Sequence, residues 1–250
     1  MANWTDPNAG LQGQQPGSLD RGARTVERDA GLRSYMLKVY NYMASGVLLT
    51  GIVALLFSRG GIESPAATII MSGGLLSWVI MLAPLAFVLV MSFGLNRMST
   101  GALQACFWAF AVVMGLSMST IFLRFTGESI ATTFFATSAA FVSLSLWGYT
   151  TKRDLSGMGT FLLMGLVGLI IAMVINLFLQ SEAMAFVISI IGVLIFAGLT
   201  AYDTQKIKSM YAYVAGTDMM GKTVIMGALN LYLDFINMFL FLLNFMGSQE

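Results

Sequence analysis

Seven continuous apolar runs constrain this chain more than any other feature: 34–57, 75–96, 102–123, 130–150, 158–180, 183–202 and 224–246. Each has 20–24 residues, enough to cross about 30 Å of hydrocarbon at ~1.5 Å rise per helical residue. The runs do not alternate apolar with polar, so they read as helices and not as strands of a membrane barrel. Composition closes off a soluble alternative. Charged residues are 10% and hydrophobic residues 57% of the chain, and a water-facing surface cannot be built from so few charges. The expectation is an all-α integral membrane protein with seven transmembrane helices.

The domain reading follows from where polarity is found. Residues 1–33 hold Gly10, Gly13, Pro16, Gly17 and Gly22 with Arg21, Arg24, Arg28 and Arg33, and are expected to form a disordered polar tail. This tail has no apolar core of the kind a cleavable signal peptide carries. Residues 34–250 are expected to form one transmembrane domain, with 58–74 and 203–223 as its longer connections.

Basic residues set the expected orientation. With the tail inside, the inner side holds Arg21, Arg24, Arg28, Arg33, Lys38, Arg97, Lys152, Arg153, Lys206, Lys208 and Lys222, which is 11 of the 13. The outer side holds Arg59 and Arg124. This excess predicts a multi-pass protein with a cytoplasmic N-terminus, an outward C-terminus and the lipid bilayer as its principal partner. Tyr35, Tyr40, Tyr42, Tyr149, Tyr202, Tyr211 and Tyr213 also fall near the inner boundary, where amphipathic rings are favoured.

Several chemistries are excluded. The net charge of +1 provides no bulk attraction for nucleic acid. There is no His, and Cys106 is the single cysteine, so histidine catalysis, histidine metal sites and an intrachain disulfide are all absent. Small residues such as Ala105, Ala109, Gly115, Ser119, Gly165, Gly168 and Ala172 are read as helix-packing positions. The methionines, Met114 and Met118 among them, are read as adaptable packing.

What remains is charge at membrane depth. Asp203 closes the sixth run in Ala201-Tyr202-Asp203-Thr204-Gln205. Asp234 lies ten residues beyond Val224, roughly 15 Å deep. A carboxylate there costs at least ~2.5–3.5 kcal/mol to insert, so it must face protein or water. Gly227, Asn230, Asp234, Asn237 and Asn244 share one face of the seventh run. That polar stripe must be shielded from lipid, which predicts a seventh helix packed among the others. Asn230 and Asn237 are candidates for the lining of a polar pathway. Arg97 ends the second run on the side of Asp203, either as an interfacial anchor or as a partner for the carboxylates. Lys206 and Lys208 are read as ordinary interfacial charges.

These residues carry a resemblance. The chain resembles the bacterial branch of the Bax inhibitor-1, or transmembrane Bax inhibitor motif, family. Three patches support it: Leu32-Arg33-Ser34-Tyr35-Met36 leading to Tyr40-Asn41-Tyr42-Met43; Thr200-Ala201-Tyr202-Asp203-Thr204-Gln205; and Ala228-Leu229-Asn230-Leu231-Tyr232-Leu233-Asp234-Phe235-Ile236-Asn237. The resemblance implies six helices wrapped around a central C-terminal helix. It implies a pH-sensitive calcium-leak channel in a bacterial inner membrane. Asp203 and Asp234 would form a proton-sharing sensor pair and the tentative calcium contact, latched by Arg97. Some relatives carry an acidic residue where this chain has Ala86, so a second cation site is not implied. Calcium would be the permeant ion, and no cofactor is expected.

Two other functions compete. A non-conducting regulator would bind a membrane protease or a stress or cell-death factor through the tail and the 203–223 connection. An intramembrane aspartyl protease also uses two aspartates. Its second motif, Gly-x-Gly-Asp, is missing here, because Tyr232-Leu233 precede Asp234. A retinal-binding protein is disfavoured, since the last run has no Lys for a Schiff base. The expectation is therefore a protein that is not an enzyme.

Overall fold

The computed structural model describes residues 16–248. Among them the fold is all-α: α1 (Pro16–Phe57), a 3-10 turn (Gly61–Glu63), α2 (Pro65–Met71), α3 (Leu75–Gly94), α4 (Thr100–Met118), α5 (Ile121–Arg124), α6 (Gly127–Thr150), α7 (Ser156–Leu179), α8 (Glu182–Val214) and α9 (Met219–Met246). Seven segments are long and apolar enough to cross a membrane, with α4 and α5 together forming the third. The short break between them falls where the Ser119 and Thr120 hydroxyls turn back onto the carbonyls of Leu116 and Ser117. Such local bonds compete with the helical ladder.

Two boundaries differ from the expectation. Residues 1–15 of the expected tail lie outside the described residues, and α1 runs from Pro16, so 16–33 are helical in the structure. No proline after Pro16 interrupts the run before the membrane span. The inner end of this extension is packed: Leu32 and Tyr35 join the core, and the Tyr35 and Tyr211 rings lie 5.4 Å apart. The second difference is larger. The connection expected at 203–223 is mostly helix, because α8 continues for 33 residues to Val214. Hydropathy falls after Tyr202, yet helical amphipathicity persists. Thr200, Thr204 and Ile207 are buried, and Tyr211 and Val214 pack on the core while Lys206 and Ser209 are exposed. That spacing of four and three keeps one face inward. The helix stops only at Gly216, whose φ of +74° is left-handed, the usual glycine terminator.

α9 is the most enclosed span. Its apolar window is 67% buried, against at most 33% for any other span. It packs mainly against α1, α4, α6 and α8, while α3 leans on α4 and α7 on α8. Close approaches make this possible. Gly115 lets α4 reach α1, because an added Cβ would stand 2.7 Å from the Thr50 carbonyl oxygen. Gly148 does the same for α6 against the Ala201 backbone of α8. The small-residue reading does not extend along every helix: Gly168 faces open space and Ala105 is exposed.

Candidate functional site

The α8–α9 pair positions the two intramembrane aspartates. These helices run side by side with small residues at their contacts: Gly227 meets the Ile207 side chain, and Gly192 meets the Phe241 ring. The closeness sets Asp203 and Asp234 beside each other on adjacent helices. Asp234 is 4% exposed, and its Oδ2 is buried without a partner among the described residues. Asp203 is half-buried, with Lys206 one turn further along α8. The pair therefore has one deep, enclosed member and one member nearer the basic end of the molecule.

Arg97 makes no ion pair with either aspartate among the described residues. It follows the end of α3, is exposed, and enters no ion pair or side-chain hydrogen bond among the described residues. The cation that does act at that helix end is Lys222 of α9, whose Nζ donates to the Leu95 carbonyl at 3.2 Å.

The stripe on α9 divides. Gly227 and Asp234 are buried, whereas Asn230 and Asn237 are half-buried and Asn244 is exposed. Met226, Leu233 and Leu240 share the accessible side with the asparagines. Asn237 Nδ2 donates to the Leu233 carbonyl of its own helix at 2.8 Å, and Asn244 does the same to Leu240. Each amide keeps its oxygen free for another donor or a cation.

Several polar contacts around the pair were not anticipated. Thr50 donates to the Ala111 carbonyl at 2.8 Å and stands 2.6 Å from the Tyr232 hydroxyl. Since the Thr50 proton is committed to Ala111, Tyr232 must be the donor in the second bond. This joins α1, α4 and α9 two residues before Asp234. On the other side, Tyr40, Ser145 and Thr204 form a chain of hydroxyls at 2.6 and 2.9 Å, and Thr204 donates onward to the Thr200 carbonyl. It links α1, α6 and α8 beside Asp203. Isolated hydroxyls in apolar helices have many innocuous roles, so only the proximity of Tyr232 and Thr204 to the aspartates pointed here.

The motif around Asp203 is occupied at every position. The Tyr202 ring fills the notch at Gly159 of α7. Gln205 clamps the 151–155 turn, accepting from Leu155 N at 2.9 Å and donating to the Arg153 carbonyl at 2.8 Å. In that turn the Ser156 hydroxyl and N–H hold the Asp154 carboxyl below the usual carboxylate range. Lys208 is more than an interfacial charge. Its Nζ donates to the Tyr149 carbonyl at 2.7 Å and lies 4.8 Å from that ring's centre. It thus caps the α6 C-terminus, where unpaired carbonyls favour a cation.

No group of three or more His, Cys, Asp or Glu side chains is close enough to hold a metal among the described residues. Two carboxyls fall short of the six to eight oxygens that a resident calcium ion takes.

Comparison with known proteins gives consistent matches along the chain. The family model described as "Inhibitor of apoptosis-promoting Bax1" matches residues 32–250. An uncharacterized protein of Rickettsia prowazekii is 50% identical over 223 residues, covering 89% of this chain and 92% of the relative. One from Caulobacter vibrioides is 44% identical over 229 residues, covering 89% and 91%. The inner membrane protein YbhL of Escherichia coli is 41% identical over 237 residues, covering 93% of this chain and all of YbhL.

Proposed function

The chain belongs to the Bax inhibitor-1 family of multi-pass membrane proteins, and from that premise we propose that it is a pH-responsive calcium-leak channel, not an enzyme, whose gate is the Asp203–Asp234 pair. What supports this reading is the packing of α8 on α9, which sets Asp203 beside Asp234, with one oxygen of Asp234 buried and without a partner among the described residues. Carboxyls in contact titrate as one unit and exchange a proton in response to pH. With no His in the chain, such a pair is the natural sensor between about pH 5 and 8.

In this reading the ionised form of Asp203 holds Arg97 and ties α3 to α8. Protonation weakens that charge-assisted contact and releases the tie. The arrangement of Asp203 beside Asp234, with Arg97 in no ion pair among the described residues, corresponds to the released form. Asn230 and Asn237, half-buried with free amide oxygens, line the route. Calcium suits it because hard cations take oxygen ligands. Acid opens the gate but also weakens calcium binding at the pair, so flux peaks at an intermediate pH.

Calcium entry into proteoliposomes tests this. The wild type should give a pH-dependent leak above empty liposomes, and Arg97→Ala should leak more at neutral pH. A trace equal to empty liposomes at every pH, in both proteins, would overturn the channel and favour a non-conducting regulator that binds another membrane protein.

The proposed location is a bacterial inner membrane with the N-terminus in the cytoplasm. Unbroken over 28 residues, α9 is long enough to cross, placing Glu250 outside. A reporter active only in the cytoplasm should be silent when fused to Glu250. Strong signal there would mean that α9 re-enters instead of crossing.

A further inference from the structure

From a crevice between α1 and α6, we infer a lipid site: a glycerophospholipid lies there with one acyl chain between the helices and its phosphate against Arg33. The two helices diverge enough to leave a cavity of about 780 Å³, walled by Leu37, Ala44 and Leu48 on one side and Val142 and Leu146 on the other, with Phe235 of α9 at the base. A second hollow of about 300 Å³ continues it, sharing Val47, Phe134 and Phe235. Leu37, Leu48, Val142 and Leu146 are each more than half exposed, so the crevice opens sideways to the bilayer and water does not fill it. From Arg33 to Leu48 it runs along α1 for roughly 22 Å at ~1.5 Å per residue. One leaflet's hydrocarbon is about half of ~30 Å, so a chain entering beside Arg33 reaches past the midplane within the groove.

Charge selects the occupant. The walls are apolar, and the single charged lining residue is Arg33 at the mouth, with the Tyr149 ring facing it across the opening. A guanidinium at the level of the headgroups matches a phosphodiester. A wholly apolar partner helix would leave Arg33 unpaired. The floor has a consequence for the fold. Tyr40 and Ser145 both line the crevice, and their 2.6 Å bond is the one side-chain hydrogen bond from α1 to α6 among the described residues. The lipid therefore sits over the tether that continues through Thr204 towards Asp203. The site itself does not depend on whether the protein conducts.

The test is native mass spectrometry of the full chain in detergent. The probes are palmitoyl-oleoyl phosphatidylglycerol and palmitoyl-oleoyl glycerol, which has the same chains and no phosphate. Wild type should retain one phosphatidylglycerol, at least about five-fold more than the neutral lipid. Arg33→Gln should reduce its retention to the neutral-lipid level. Ala44→Trp, at an exposed wall position, should block both lipids, and so should Val142→Trp from the opposite wall. Retention unchanged in both Trp variants would reduce the lipid to an annular one and overturn the site. Unchanged phosphatidylglycerol preference in Arg33→Gln would overturn the phosphate assignment, and loss of the bound lipid to millimolar inorganic phosphate would make the occupant a free anion and overturn the lipid.

Discussion

Asparagine at Asp234 should remove most of the pH response of calcium entry into proteoliposomes, and asparagine at Asp203 should do the same. The double variant should be no worse than either single one. The reasoning is geometric. A proton shared between two carboxyls belongs to the pair, so neutralising either member removes the switch. Residues acting as one unit give strongly non-additive effects. Asn is nearly isosteric with Asp and can still hydrogen-bond, which leaves packing at the α8–α9 contact in place. The expected loss is several-fold at the pH of maximal wild-type flux. Asn244→Ala is the matching control, because Asn244 is exposed and bonded to its own helix. Additive losses from the two aspartates, or an equal loss in the control, would mean that the pair is not the gate.

The spans were legible because apolar runs of the right length admit one solution in a bilayer. Their ends were less so. Hydropathy marks where lipid ends, not where a helix ends, and α8 shows the difference. Its last turns leave the apolar register at Asp203 while keeping Ile207, Tyr211 and Val214 on one face. That periodicity was present in the sequence, and weighting it above hydropathy would have placed the end near Gly216. The same holds for α1, where glycines and charges suggested a tail although the described residues from Pro16 onward are helical.

The candidate site was legible in its rare members. Asp203 and Asp234 stand out because carboxylates are costly in lipid. Their pairing is implied by the family resemblance and not by spacing, since hydropathy does not say which helices touch. Commoner residue types around them carried no signal. Thr50, Ser145 and Thr204 are among many hydroxyls in the spans, and their roles depend on neighbours as many as 182 residues away. Lys208 reads as an interfacial charge until the α6–α7 turn folds back onto α8. Arg97 illustrates the opposite hazard: a conspicuous charge at a helix end that makes no ion pair among the described residues in this conformation.

Leucine at Gly148 should prevent stable assembly of the helices, whereas leucine at Gly168 should be tolerated. Both glycines sit inside long helices, and replacing glycine there removes a helix penalty of about 1 kcal/mol. Propensity alone therefore favours both substitutions. Packing separates them. A Cβ at Gly148 would stand 2.9 Å from the Ala201 Cα and closer still to its carbonyl oxygen, all backbone atoms of α8. Backbone in mid-helix cannot swing aside as a flexible side chain can, so α6 must retreat from α8. One turn away, that retreat breaks the 2.9 Å Ser145–Thr204 bond and loosens α8 beside Asp203. Overpacking costs about 1–3 kcal/mol where side chains can adjust, and the backbone clash puts Gly148 at or above the top of that range. At Gly168 an added side chain meets nothing within 4 Å and simply faces lipid. The measurement is the yield of monodisperse protein in detergent together with its thermal unfolding midpoint. Gly148→Leu should lose most of the yield or melt many degrees lower, with Gly168→Leu unchanged or slightly higher. Equal behaviour of the two variants would show that α6 and α8 do not meet at Gly148, and the hydroxyl chain from Tyr40 to Thr204 would then have no basis.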